Sequence, residues 1–266
     1  MSKVLVIGDV HGCLDEFQEL VRLAGPVDAY ISIGDLIDRG PDTLGCLAFW
    51  DSLKTSHPDS VLIRGNHDDK FLRFTERSKE FTKTGRMAMH PPMHEWMHAV
   101  YPGTEEVVSC AIVTEEGKEA FRILSDSVFS LRLGRFIFIH GGIPAGKSWV
   151  EWPASFKRVK SVMFCRHLDH LTGETLTLGD ATPEDPYWAN IYDGRFGHAI
   201  FGHQVHLFDQ SRYPHATAID HGCCFGLFLT GLVLDTEKGD VLNEIHVECM
   251  HKEMAADLDQ RTSVGE

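Results

Sequence analysis

Short β-branched or aliphatic runs recur at residues 4–7, 29–33, 61–63, 136–139, 199–201, 216–219, 227–234 and 241–247. Bounded by polar and glycine-containing stretches, they predict strands. Between the first three, apolar side chains return at helical spacing. Leu14, Phe17, Leu20, Val21 and Leu23 form one series; Leu44, Leu47, Ala48 and Leu53 form the next, behind Pro41 read as a first-turn proline. The N-terminal third therefore reads β-α-β-α-β and the C-terminal third mostly β. Residues 69–130, charged and Met/His-rich around Pro91-Pro92, read as a helical, cap-like insertion. With no internal repeat and no Pro/Gly/Ser linker, residues 1–250 are expected to form a single domain, and 251–266 a polar tail.

The polar residues concentrate where the strands end. Residues 4–7 run into Gly8-Asp9-Val10-His11-Gly12, residues 29–33 into Gly34-Asp35-Leu36-Ile37-Asp38-Arg39-Gly40, and residues 61–63 into Arg64-Gly65-Asn66-His67-Asp68. Later, 136–139 runs into His140-Gly141-Gly142 and 199–201 into Gly202-His203. In an α/β sheet, ligands sit beyond the carboxyl ends of the strands, so these loops are expected to converge on one crevice. Any one of them alone reads as an ordinary turn; five in strand context point to chemistry. The collected carboxylate, imidazole and amide groups suit Mn, Fe or Zn and exceed what one ion needs, which implies two metals. Such a pair can clamp the attacking and leaving oxygens of a displacement at phosphorus and activate a water between them. Glycines beside the ligands allow the backbone close to the site.

Composition bounds the alternatives. Of 266 residues, 43% are hydrophobic and 24% charged, as in ordinary globular proteins. A formal charge of −14 opposes general nucleic-acid or anionic-lipid binding, so attraction of an anionic substrate must be local, from arginines or bound cations. Seven cysteines without a C-x-x-C pair read as reduced, small core residues of an intracellular protein. No apolar run approaches the ~20 residues of a membrane span, and the opening residues meet Asp9 too early for a signal peptide. A cytoplasmic location is expected.

The five motifs, in order, resemble the signature motifs of the phosphoprotein phosphatase branch of the calcineurin-like metallophosphoesterases, over most of residues 3–247. The segment Ile219-Asp220-His221-Gly222-Cys223-Cys224-Phe225-Gly226 is similar to that of bacterial members, including symmetrical diadenosine-tetraphosphate hydrolases. The resemblance implies an α/β fold, a four-layer αββα sandwich of two mixed β-sheets flanked by helices. It implies that Asp9 and His11 hold one metal, that Asp35 bridges both, and that Asn66, His140 and His203 hold the second, with manganese the expected ion and iron or zinc as alternatives. His67 would protonate the leaving oxygen, oriented by Asp38, while Arg39 and Asn66 bind phosphate oxygens and a hydroxide between the metals attacks. Arg166, in Phe164-Cys165-Arg166-His167, is the candidate second phosphate clamp, with a plain surface arginine as the alternative.

Departures bear on the substrate, which is a phosphorylated protein or a nucleotide. Asp68 stands where family protein phosphatases usually carry glutamate, a form shared with dinucleoside tetraphosphate hydrolases. Those hydrolases, however, generally lack the acid at Asp38 and often have Ala-Gly where this chain has Gly141-Gly142. His221 and Leu227 replace a threonine and a second glycine of bacterial relatives. The balance favours phosphomonoester hydrolysis, by a serine/threonine or dual-specificity protein phosphatase, with the symmetrical dinucleoside tetraphosphate hydrolase as the alternative.

Two readings of other classes stand beside these. His94-Glu95-Trp96-Met97-His98 fits H-E-x-x-H, two zinc-binding imidazoles one helical turn apart, but a protease would leave the five strand-end motifs unexplained. An inactive metal-binding scaffold would not need His67, Asp38 and Arg39. Met87, Met89, Met93 and Met97 read as adaptable core, Cys223-Cys224 as buried, and the acidic loop at 180–185 as a solvated turn.

Overall fold

The computed structural model describes residues 2–84, 114–144, 160–177 and 179–251, leaving aside the side chains of 77–84. Strand β1 (Lys3–Ile7) runs parallel to β2 (Ala29–Ser32), and β2 parallel to β3 (Val61–Leu62). On the other side of β1, β10 (Phe228–Asp235) pairs antiparallel, followed by β11 (Asp240–Glu248), while the short β9 (Asp220–His221) adds to β10. A second mixed sheet has β5 (Phe136–Ile139), β6 (His198–Phe201) and β8 (Ala216–Ala218) parallel at its centre. Antiparallel β4 (Ser130–Leu133) and β7 (Arg212–Tyr213) form its edges.

The strands alternate at period two, and the alternation decides the layering. Val4 and Val6 of β1 share a buried cluster with Ile31, Phe136, Phe138 and Ile200, which is the core between the two sheets. Leu5 and Ile7 turn the other way, onto Phe17 and Leu20 of α1 (Leu14–Ala24), Leu47 and Trp50 of α2 (Thr43–Ser56) and Phe71 of α3 (Asn66–Thr84). Ile123 and Leu124 of α4 (Glu115–Ser125) join the same cluster. On the far side of the second sheet, Ile137, Ile139, Ala199 and Phe201 pack on Trp188 of the four-residue α5 (Trp188–Ile191) and on Tyr192. The result is the expected sandwich of two mixed sheets with flanking helices, its helical layer much thicker over the first sheet among the described residues.

Several local details differ from the sequence pattern. Pro41 lies one residue before the cap of α2, and Asp42 is the cap itself, accepting from Gly45 N at 2.7 Å and so satisfying an orphan amide. The third strand-end motif is not a loop: Asn66, His67 and Asp68 form the first turn of α3. Both described flanks of 69–130 line the main core through Phe71, Leu72 and Phe74 on one side and Ala120, Ile123 and Leu124 on the other. Residues 85–113 lie outside the described residues, and with them the His94–His98 pair and Met87, Met89, Met93 and Met97. The acidic loop is no solvated turn at Asp185. That carboxylate is buried, accepting from His170 N and Nδ1 and from Thr182 N and Oγ1.

Candidate metal centre

The carboxyl ends of β1, β2, β5 and β6, together with the start of α3 behind β3, deliver Asp9 and His11, Asp35, Asp38 and Arg39, His140, His203, and Asn66 and His67. These ends meet because the strands that carry them run parallel to their neighbours, β1 to β2 to β3 and β5 to β6, and the two sheets share one core. The turns are unusually tight. Among the described residues, the non-glycine positions with positive φ are His11 (47°), Asp35 (49°), Asp38 (72°), Arg39 (74°) and His203 (72°). All five belong to the site, and each such conformation costs about 1 kcal/mol or more for a residue with a Cβ. Glycine is required at two neighbours. A Cβ on Gly65 would stand 2.1 Å from Asp35 Oδ1, and one on Gly202 would stand 1.9 Å from Asp9 Oδ1.

Backbone carbonyls set the imidazole tautomers. His11 Nδ1 donates to Ile37 O and His140 Nδ1 to Ile33 O, both at 2.9 Å. Each leaves Nε2 aimed at Asp35 Oδ2, at 3.5 Å from His11 and 3.4 Å from His140. The other Asp35 oxygen accepts from His67 N at 2.9 Å. Asn66 Oδ1 lies 3.0 Å from His140 Nε2. Asp9 Oδ2 accepts from His203 N at 3.0 Å, joining the first sheet to the second.

The electrostatics of the cluster suit bound cations. Burial, and then the nearby Asp220 carboxylate, push the Asp9 carboxyl well above its ordinary range. Burial alone would raise Asp35 too, but the imidazoles of His140, His67 and His11 hold it well below. Burial takes His11 down to about 3 and His203 well below its usual value, so both rings are neutral and free to offer a lone pair. For His140, burial is outweighed by Asp35, and its pKa rises to about 9. Without metal, a proton therefore sits between His140 and its acceptors. Asp9 Oδ1 and His203 Nε2 are buried with no hydrogen-bond partner, and unpartnered buried acceptors of this kind are expensive. One group of facing donor atoms comprises Asp35, His140 and His203, and another His11, Asp35 and His67. The residues present fit two divalent cations sharing Asp35.

The substrate-side groups flank this cluster. His67 Nδ1 lies 2.7 Å from Asp38 Oδ2, and Arg39 Nη2 3.4 Å from His67 Nε2. The Arg39 guanidinium also stacks 4.9 Å over the Phe225 ring. Arg166 is half-buried and its Nη2 donates to His203 O at 3.4 Å, so it is not a plain surface arginine. Phe164 stands edge-on to the His203 ring, centroids 6.5 Å apart. A cavity of about 430 Å³ opens there, lined by Phe164, Arg166, His167, Thr175, Leu176 and Thr177.

Three residues of this region lie outside the expected set of site residues. Asp220 is a buried carboxyl, raised to about 6 by its burial, that accepts from Gly222 N at 3.0 Å. Its signal was available, since the apolar run 216–219 ends in an acid and a glycine as the ligand motifs do. Phe164 carries no pattern that separates it from a core aromatic. Asp68, used above as a mark of substrate class, faces the backbone: its carboxylate accepts from Asp35 N, Leu36 N and Gly65 N at 3.0, 3.2 and 2.9 Å. It shapes the loop rather than touching a substrate.

A family model for the calcineurin-like phosphoesterases matches residues 2–207. The symmetrical bis(5'-nucleosyl)-tetraphosphatase of Coxiella burnetii is 28% identical, over 88% of this chain and 89% of its own length. The asymmetrical bis(5'-nucleosyl)-tetraphosphatase PrpE of Anoxybacillus flavithermus is 30% identical, over 85% of this chain and 88% of its own. Two solved structures share the fold. A candidate diadenosine tetraphosphatase gives a TM-score of 0.62 at 20% identity, covering 94% of this chain and 95% of its own. A protein serine/threonine phosphatase from Saccharomyces cerevisiae gives 0.58 at 14%, covering 94% and 81%.

Proposed function

The chain belongs to the calcineurin-like phosphoesterases, and from that premise we propose that this metal-dependent phosphoric ester hydrolase acts on dinucleoside tetraphosphates. The observation that carries this choice is the cavity beside Arg166 and His203. Its size is that of a small-molecule site, and it offers an aromatic face at Phe164, an apolar wall at Leu176 and the Arg166 guanidinium. A phosphoanhydride held at the metal centre would have a nucleoside within reach of that space. The relatives named for tetraphosphatase activity cover most of this chain and support the same reading.

Asp9, His11, Asp35, Asn66, His140 and His203 would hold the two cations, with manganese the expected ion for donors of oxygen and imidazole. Bound there, the cations would supply a hydroxide-like nucleophile at neutral pH and offset charge at phosphorus. The protein's own groups do the rest. His67 carries the proton for the leaving oxygen on Nε2. Asp38, 2.7 Å from Nδ1, orients the ring. Arg39 from one loop and Arg166 from another present guanidinium forks to phosphate oxygens, a local positive charge in a chain of net −14.

The Asp38–His67 pair favours a second reading, a protein phosphatase, because the tetraphosphate hydrolases generally lack that acid. A comparison of diadenosine tetraphosphate with phosphoserine and phosphothreonine peptides, at equal manganese loading, decides between them. At least a tenfold higher kcat/KM is expected for the dinucleotide; the opposite order would overturn the proposal. Phe164→Ala should raise KM for the dinucleotide about fivefold, as expected for roughly 1 kcal/mol of base stacking, and leave turnover of 4-nitrophenyl phosphate unchanged.

A further inference from the structure

A second group of metal-ligating side chains lies outside the centre described above. Cys13 caps the N-terminus of α1, Glu16 sits in its first turn, Cys223 opens the turn at Cys223–Phe225, and Cys249 follows β11. All four are buried, none more than 1% exposed. The Cys13 and Cys223 sulfurs and a Glu16 oxygen lie within 4.8 Å of one another. Cys249 is within hydrogen-bond reach of both Cys223 and Glu16. Three elements distant in sequence thus bring two thiols and one carboxylate together, with the third thiol, Cys249, beside Cys223 and Glu16.

The carboxylate is the part that core packing does not explain. Glu16 Oε1 accepts from Met250 N at 2.6 Å, but Oε2 is buried with no hydrogen-bond partner. A carboxylate fully removed from water in an apolar cluster is costly unless a cation or a full set of donors meets it. No Lys or Arg is paired with Glu16 among the described residues. Isolated buried cysteines are ordinary, but three of them around a carboxylate with one unpartnered oxygen have the donor types of a structural site for a thiolate-preferring ion. The N-terminus of α1 and the His251 N–H, which donates to Cys249 Sγ at 3.3 Å, offset part of the resulting negative charge.

We infer that Cys13, Glu16, Cys223 and Cys249 form a structural site for one zinc-class cation, separate from the oxygen- and imidazole-lined dimetal centre. Binding displaces the thiol protons to solvent and ties the end of β11 to the start of α1, two residues beyond His11. The ion would anchor the C-terminal strand and the β1–α1 loop; it would not meet substrate.

Cobalt distinguishes the two sites, because thiolate ligation gives an intense near-ultraviolet charge-transfer band that oxygen and imidazole donors do not. The full-length protein, stripped of metal under reducing conditions, is titrated with cobalt alone and, separately, its zinc content is measured after zinc loading. The wild type should show the band and hold one zinc more than Cys223→Ser or Cys249→Ser, both of which should lose most of the band. Asp9→Asn, which disables the other centre, and Cys165→Ser, a buried thiol in the other core, should keep it. Absence of the band in the wild type at every loading overturns the inference, as does a band that survives both cluster substitutions. If Cys223→Ser does not fold, Cys249→Ser at the end of the last strand carries the same comparison.

Discussion

In the metal-free protein the proton on His140 takes the place of a cation, and this makes stability depend on metal and pH together. The His140 pKa stands at about 9, against 6.5 for an ordinary histidine, because the Asp35 carboxylate outweighs burial. A raised folded-state pKa contributes stability that is fully present below the unfolded value and is lost as pH rises through the folded one. The window is therefore from about 6.5 to about 9. At about 1.4 kcal/mol for each pH unit, the metal-free protein should lose about 3 kcal/mol across it from this group. Buried thiols such as Cys165, held up at about 12, lose stability in the same direction at the alkaline end. The manganese-loaded protein is therefore the reference, since it shares thiols such as Cys165 but not the His140 proton. Urea denaturation of both forms should show their midpoints diverging as pH rises, by roughly 1 M if the urea m-value is near 3 kcal/mol/M. Metal-free His140→Asn should not show the divergence. Parallel curves for the metal-free and loaded wild type would refute the proton-for-cation argument.

Other consequences are read from single substitutions. His67→Asn should cut turnover by roughly 10² to 10⁴ while elemental analysis still finds the dimetal content unchanged; turnover within a factor of two of wild type would remove His67 as proton donor. Asp68→Ala leaves three buried backbone N–H groups of the Asp35 and Gly65 turns without an acceptor. It should lower unfolding stability by about 3 kcal/mol or more and weaken metal uptake, measured by denaturation and by calorimetric titration. Asp185 is held below, and His170 above, its ordinary pKa, chiefly by the hydrogen bond between them. The pair is therefore lost both as pH falls through the Asp185 value and as it rises through the His170 value. Hydrogen exchange at residues 168–186 should quicken at both extremes and, in Asp185→Asn, at neutral pH.

The strand ends were legible because their grammar is local: an apolar run followed by a polar turn with glycine requires no knowledge of the partner strand. That grammar covered β1, β2, β5, β6, β8, β10 and β11 nearly to their observed bounds. It failed at β4, β7 and β9, whose residues Ser130–Leu133, Arg212–Tyr213 and Asp220–His221 are short and partly polar and become strands only through neighbours that already exist. The meaning of Asp68 was lost for a related reason. A composition difference identifies a residue but not its direction, and this carboxylate turns inward to three amides. The cavity at Phe164 depends on how 161–177 folds over His203, which no periodicity encodes.

Left-handed backbone at five site residues implies that the fold holds the site in a strained shape, and Arg39 allows that strain to be measured. Its side chain is exposed, so truncation leaves no cavity, and its φ of 74° is a conformation that glycine adopts freely and alanine does not. Arg39→Ala and Arg39→Gly both lose the guanidinium and its stacking on Phe225, so those losses cancel in the comparison. Glycine ordinarily costs about 0.5–1 kcal/mol relative to alanine through the greater freedom of its unfolded chain. The left-handed penalty for alanine, about 1–2 kcal/mol, acts in the opposite sense and should win. The glycine variant is therefore expected to unfold at the higher denaturant concentration, by the equivalent of up to about 1.5 kcal/mol, and both variants to lose activity alike. An alanine variant that is clearly the more stable would mean that the loop relaxes once Arg39 is cut back. In that case the strain would be carried by the arginine's own contacts rather than imposed by the two sheets that deliver the ligands.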